Sequence, residues 1–321
     1  MEPAGGDAGE PSRIQEGEEV KNLFLKPLVD RRTFLKGMVG MFGLSTLGVG
    51  KGVANTAKTE IVLERVPVSL PGLPATFRGL KIAHLSDLHS SPIVSPEHLR
   101  QAAALAANET PDLVVLTGDY IGHQLKTAPS QQHEFDIKHV ERMVEALSVL
   151  NPPMGVFAVL GNHDFWSGRK ATASLIERFS RGLNVQWLRN RNVLLKRGGE
   201  SIQLIGIDDL WSGTCSIERA FNGVVPGKTR ILLSHNPDVN MEIRYNLNWD
   251  AELILSGHTH GGQVVLPFIG PPFKPGINDG RYVSGLVREG NRQTYVTRGV
   301  GHLVVPVRFN CPPEVTLIEL V

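Results

Sequence analysis

Thiol chemistry has little to work with in this chain. Only two cysteines occur, Cys215 and Cys311, far apart and without a C-x-x-C spacing, which excludes a zinc site built from local thiolate pairs. One disulfide and two free thiols both remain open. A surplus of charge is also missing: 33 Lys+Arg stand against 32 Asp+Glu, a formal charge of +1. No overall basic field points to a nucleic acid, and none is expected as a specific partner. A glycine-rich apolar run at residues 37–50 falls short of the ~20 residues that a spanning helix normally needs. After residue 60 there is no repeat of solenoid period and no low-complexity linker. The apolar content of 41% over 321 residues is enough to fill the core of one large domain.

The N-terminus divides from the rest. Residues 1–29 read as a disordered acidic tail, since six of the first 22 residues are acidic and few are apolar, too little to offset the entropy of ordering. Residues 30–57 are a different object. Asp30-Arg31-Arg32-Thr33-Phe34-Leu35-Lys36 precedes the apolar run, which Lys51 closes. Paired arginines before a moderately apolar run of this length resemble a twin-arginine export signal, either cleaved or kept as a membrane anchor. The implied partners are the twin-arginine machinery and, through residues 30–57, the membrane. The expected location is the outer side of the cytoplasmic membrane, in the periplasm or cell envelope, with its cytoplasmic face as the alternative.

From residue 58 to 321 the chain reads as one domain. Short apolar strands bounded by turn residues are expected at residues 81–85, 113–117, 156–160, 231–234 and 253–256. Helical patterns separate the first three, one starting at Ser95-Pro96-Glu97-His98 with Ser as N-cap, another over residues 136–150 with Val140, Met143, Val144, Leu147 and Leu150 on one stripe. That alternation predicts mainly parallel pairing in a sheet covered on both faces. Residues 193–196 with 202–207, and 282–288 with 294–298, read as hairpins, and residues 315–320 as a closing strand. A four-layer α/β/β/α sandwich of two mixed sheets accommodates the mixture.

Each of the five strands ends in residues that bind metals. The ends are Asp87-Leu88-His89, Gly118-Asp119, Gly161-Asn162-His163-Asp164, Ser234-His235 and Gly257-His258-Thr259-His260. In open α/β sheets, ligand sites lie beyond the carboxyl ends of the strands, so these residues should gather in one crevice. The set Asp87, His89, Asp119, Asn162, His235, His258 and His260 offers imidazoles and hard oxygens without thiolate. That inventory suits Mn, Fe or Zn. It exceeds what one catalytic ion takes from a protein, and two divalent ions sharing a carboxylate is the economical arrangement.

In order and spacing, these motifs resemble the calcineurin-like metallophosphoesterases over about residues 80–320. The resemblance implies the metallophosphatase fold and two ions. Asp87, His89, Asp119 and His260 would hold one and Asp119, Asn162, His235 and His258 the other. It also implies that His163 protonates the leaving oxygen and that Asp164 orients or charges it. The expected activity is hydrolysis of a phosphoester by a hydroxide that the two metals generate, in a phosphodiesterase or pyrophosphatase with an envelope or lipid-linked substrate such as UDP-2,3-diacylglucosamine. A metal-binding scaffold with weak catalysis, a nuclease or a phosphomonoesterase of the same fold are the alternatives. Arg298 or Arg308 could contact a phosphate, Asp208-Asp209 could be a turn or part of the site, and His84 reads as a core or supporting residue. Trp166, Trp211 and Phe268 border the site loops and could meet an apolar or ring-bearing substrate.

Overall fold

The computed structural model describes residues 60–122, 136–244, 249–272, 274, 280–303 and 306–321. The expected tail and the twin-arginine segment lie outside the described residues. Among the described residues no helix is long and apolar enough to cross a membrane.

Two six-stranded mixed sheets form the middle of the fold. The first runs β1 (Val62–Val68), β12 (Glu314–Leu320), β2 (Lys81–Leu85), β3 (Leu113–Leu116), β4 (Val156–Ala158), β5 (Val185–Trp187). β2 to β5 are parallel, β12 is antiparallel to β2, and β1 pairs parallel to β12. The second runs β10 (Gly285–Glu289), β11 (Arg292–Val296), β9 (Leu253–Ser256), β8 (Arg230–Leu233), β7 (Glu200–Gly206), β6 (Arg191–Arg197), parallel from β11 to β7 with an antiparallel strand on each edge.

Side-chain alternation along the strands builds three apolar layers. Ile82, Val115, Phe157, Leu204, Leu233 and Leu255 face each other between the sheets. Their neighbours Ala83, Val114, Leu116 and Ala158 turn outward onto helices α1 (Pro96–Asn108), α2 (Ile137–Leu147) and α4 (Arg169–Leu183), through Leu99, Met143 and Phe179 among others. Ile205, Leu232 and Ile254 turn outward on the other side, onto α5 (Ile217–Phe221) and α6 (Val239–Arg244). A period of two with apolar residues in both phases is what a sheet covered on both faces requires. The expected four-layer α/β/β/α sandwich is the architecture found.

Local expectations hold with shifted ends. Ser95 caps α1 by accepting the His98 N–H at 3.1 Å, and Asp136 caps α2 by accepting the Lys138 N–H at 2.9 Å. α2 stops at Leu147, short of the expected residue 150, and both hairpins form around glycine turns. The pattern did not reveal β1, an edge strand with a single buried residue, or the three-residue β5. Tertiary pairing, more than local pattern, makes both into strands. Cys215 and Cys311 are free.

The layer between the sheets should dominate stability. Leu233→Ala, at a fully buried position, is expected to cost about 2–5 kcal/mol in urea unfolding. Leu194→Ala, at an exposed one, should cost less than about 1 kcal/mol.

Candidate metal centre

The carboxyl ends of β2, β3, β4, β8 and β9 open onto the same end of the two sheets, and their loops interlock. The His258 N–H donates to both carboxylate oxygens of Asp87 at 3.0 and 3.1 Å, joining the β9 loop to the β2 loop across the sheets. The His235 ring donates from Nδ1 to the Thr117 carbonyl at 2.8 Å, joining β8 to β3. Thr117 also meets His84 through its hydroxyl at 2.8 Å, so His84, buried and pushed down to about pKa 3 by desolvation, stands behind the centre as a neutral support.

Two buried clusters result: Asp87, His89 and His260, and Asp119, His235 and His258. In the first, His89 Nε2 lies 3.0 Å from His260 Nε2, which lies 3.3 Å from Asp87 Oδ1. In the second, His235 Nε2 lies 3.2 Å from both His258 Nδ1 and Asp119 Oδ2, and 3.1 Å from Asn162 Oδ1. Asp119 Oδ2 is also 3.6 Å from His89 Nε2. One carboxylate oxygen therefore faces both clusters, the position a bridging ligand needs. All seven candidate ligands are together.

The donor set fits divalent cations for a specific reason. With Nδ1–H given to Thr117, His235 turns its Nε2 lone pair toward two oxygens, Asp119 Oδ2 and Asn162 Oδ1. Acceptors facing acceptors in a buried site repel unless a cation or a proton lies between them. In the metal-free chain a proton serves. Burial opposes charge on His235, but Asp119 and Asp87 outweigh it and raise the imidazole to about 10. Burial instead keeps His258 and His260 well below their ordinary value, in the neutral form. Burial also raises Asp87 to about 6, opposed by His235 and reinforced by Asp119.

Holding these groups requires unusual backbone. Asp87, His89, Asp119, His258 and His260 all have positive φ, between 43° and 71°, in the left-handed region that non-glycine residues seldom occupy. Asp164 braces the β3 loop in that conformation. Its two oxygens accept the N–H groups of Asp119, Tyr120, Ile121 and Gly161 at 2.9–3.1 Å. Both oxygens of the expected partner of His163 are thus engaged by backbone amides. His163 itself is anchored by its backbone N–H on Asp119 Oδ1 at 2.9 Å, with its ring edge-on to His89 at 4.9 Å between centroids.

Two glycines admit the carboxylates. A Cβ on Gly161 would lie 2.2 Å from Asp119 Oδ1, and one on Gly257 would lie 2.1 Å from Ser86 Oγ and 2.2 Å from Asp87 Oδ2.

Both arginines are engaged within the protein. Arg298 is paired with Glu64 and Glu314. Arg308 is fully buried, its guanidinium donating to the carbonyls of His260, Arg298, Gly299 and Gly301. Its role is to fasten the C-terminal loop to the His260 turn. Asp208 and Asp209 both belong to the loop after β7, where Asp209 holds the turn by accepting the Trp211 backbone N–H at 2.8 Å. Asp208 takes both guanidinium nitrogens of Arg189 at 3.0 and 2.8 Å. Asp209 is buried, raised to about 6 by desolvation and influenced by His235. Arg189 itself gave no signal in the sequence, because its partners are remote strand ends.

Residues 80–262 match the family model described as calcineurin-like phosphoesterase. The chain belongs to that family. It is similar to phosphodiesterase YaeI of Escherichia coli, 38% identical over 75% of this chain and 82% of that protein. It is similar too to the uncharacterized metallophosphoesterase YkuE of Bacillus subtilis, 31% identical over 91% of this chain and 98% of that one. UDP-2,3-diacylglucosamine pyrophosphatase LpxG of Chlamydia trachomatis is 27% identical over 79% of this chain and 88% of that enzyme. The two buried clusters of this metallophosphoesterase are the expected seats of two divalent ions.

Loading should displace the proton on His235. Calorimetric titration of metal at pH 8 in buffers of different ionisation heat should show release of about one proton, and His235→Ala should abolish it. In the metal-free chain, protonated His235 stabilises the fold fully below its ordinary value of 6.5, and that contribution is lost as pH rises through about 10. Metal affinity should rise over the same window. Gly257→Ala should displace Asp87 and remove the ion of the first cluster, read as metal per chain by elemental analysis.

Proposed function

We propose that this phosphoesterase is a phosphodiesterase or pyrophosphatase of the cell envelope, acting on a lipid-linked phosphoester or diphosphate such as UDP-2,3-diacylglucosamine. The observation that carries the chemistry is Asp119 Oδ2 facing both clusters while Asp119 Oδ1 holds the His163 backbone. One carboxylate thereby sets the distance between the ion seats and the imidazole. When bound, two divalent ions activate a water and polarise the phosphoryl oxygens. Asn162 and His235 orient the second cluster, and His163, half-buried at its mouth, is placed to give a proton to the departing oxygen, work for which imidazole is suited near neutral pH.

The substrate class draws support from the relatives named phosphodiesterase and UDP-2,3-diacylglucosamine pyrophosphatase. A further support is the apolar tip Phe268-Ile269, which follows the His258–His260 turn in the chain and stands exposed to solvent. Such a tip suits contact with acyl chains. Residues 30–57, with Arg31 and Arg32, would export the folded enzyme or anchor it on the outer face of the membrane.

The test is a hydrolysis panel of monoesters, diesters, nucleotide-sugar pyrophosphates and phospholipids with Mn, Fe and Zn. Diesters or pyrophosphates should be preferred, and Asn162→Ala and His235→Ala should each remove metal-dependent turnover. His163→Ala should lower kcat about 10²–10⁴-fold with metal content unchanged. Absence of turnover on every substrate, or indifference to Asn162→Ala and His235→Ala, would sink the proposal. For export, residues 1–57 fused to a folded reporter should carry it out of the cytoplasm, and Arg31→Lys with Arg32→Lys should stop it.

A further inference from the structure

A pair of tryptophans stands at the mouth of the metal centre. Trp166 closes α3 (Asn162–Trp166), the short helix that carries Asn162 and His163, and is 54% exposed. Trp211 lies in the loop after β7. The two rings are within 9° of parallel, with centroids 6.2 Å apart. Each also touches the centre: Trp166 lies 5.2 Å from the His163 ring, and Trp211 lies 4.6 Å from the His258 ring, edge to face.

Core packing does not account for this arrangement, because a residue packed into the core does not leave half its surface in water. The loops that carry the rings are instead braced against each other. Arg189 lays its guanidinium over Phe165, the neighbour of Trp166, at 5.5 Å, while holding Asp208 at the start of the Trp211 loop with both nitrogens. Asp209 Oδ1 then accepts the Trp211 N–H at 2.8 Å. One cation thus fixes the relation between two loops that share no strand pairing, and with it the alignment of the rings.

We infer that Trp166 and Trp211 form a binding wall for a planar heteroaromatic ring, of nucleobase size, joined to the phosphate that the centre attacks. The inference rests on the phosphoesterase reading for where that phosphate sits. A flat π-face near the scissile group favours a ring without reading its edge. The neutral chain, with a formal charge of +1, supplies no overall basic field to hold a polymer. The ligand class is therefore a single nucleotide ester or nucleoside-diphosphate conjugate, with Trp166 and Trp211 as specificity-determining residues.

Two measurements test this on the full chain with manganese. In calorimetry, thymidine 5′-monophosphate should bind about tenfold or more tighter than ribose 5-phosphate. Trp166→Ala should weaken the nucleotide far more than the sugar phosphate, bringing the two affinities together, and Trp166→Phe should keep most of the preference. In kinetics, thymidine 5′-(p-nitrophenyl phosphate) and methyl p-nitrophenyl phosphate share a leaving group. Trp166→Ala and Trp211→Ala should each raise KM for the first several-fold more than for the second. Equal binding of the two phosphates by the unaltered chain, or equal weakening of both in Trp166→Ala, would overturn the wall, while turnover of the methyl ester would leave the phosphoesterase reading standing. Loss of turnover on both esters with the binding preference intact would support the wall and remove the phosphoesterase reading.

Discussion

The fold depends on keeping mutually repelling groups together. Seven oxygen- and nitrogen-bearing side chains, drawn from five strand ends, point their acceptor atoms at one another in a site closed to bulk water, with Asp87, Asp119 and His235 almost wholly inaccessible. Such a cluster is unfavourable by itself, since each carboxylate loses hydration that one backbone N–H, from His258 to Asp87 and from His163 to Asp119, only partly replaces. Its existence implies positive charge at its centre. Protonated His235 supplies some of that charge in the metal-free chain, and two cations supply it better. The surrounding architecture serves to hold these side chains at the distances a cation needs and to prevent them from swinging apart into solvent.

Much of that restraint is backbone. Five of the ligands adopt left-handed conformations, and each is tied at once to a loop from another strand. His89 donates its N–H to the Asp119 carbonyl at 3.0 Å, and Gly301 donates to the Asp87 carbonyl at 2.7 Å. Asp164 gathers four amides, and Arg308 gathers four carbonyls. A buried carboxyl group and a buried guanidinium each replace water for a stretch of irregular backbone that neither sheet can satisfy. This is why charged residues near the site need not touch substrate. The same logic governs Arg189, which uses its charge to align two loops and leaves recognition to the uncharged rings that those loops carry.

Local rules determined a good part of this in advance. The period-two and helical patterns, the Ser95 and Asp136 caps and the glycine turns identified the central strands and two of the helices, because those elements follow from contacts within a few residues. The residue types at the strand ends indicated the two buried clusters that could hold metal, because few other arrangements place histidine, aspartate and asparagine after five apolar strands. Their order along the chain was enough to indicate the family.

Tertiary structure decided the rest. That Asp164 braces the backbone of the β3 loop follows only once β3 and β4 pair and present those amides to it. Arg308 could have been a substrate contact until packing enclosed it. Trp166 and Trp211, 45 positions apart in the chain, become one wall only because Arg189 joins their loops. The sequence by itself determined which atoms were available for chemistry, since residue type and strand position are local properties. The assembled sheets decided how those atoms face each other, since distance and burial arise from contacts between residues far apart in the chain.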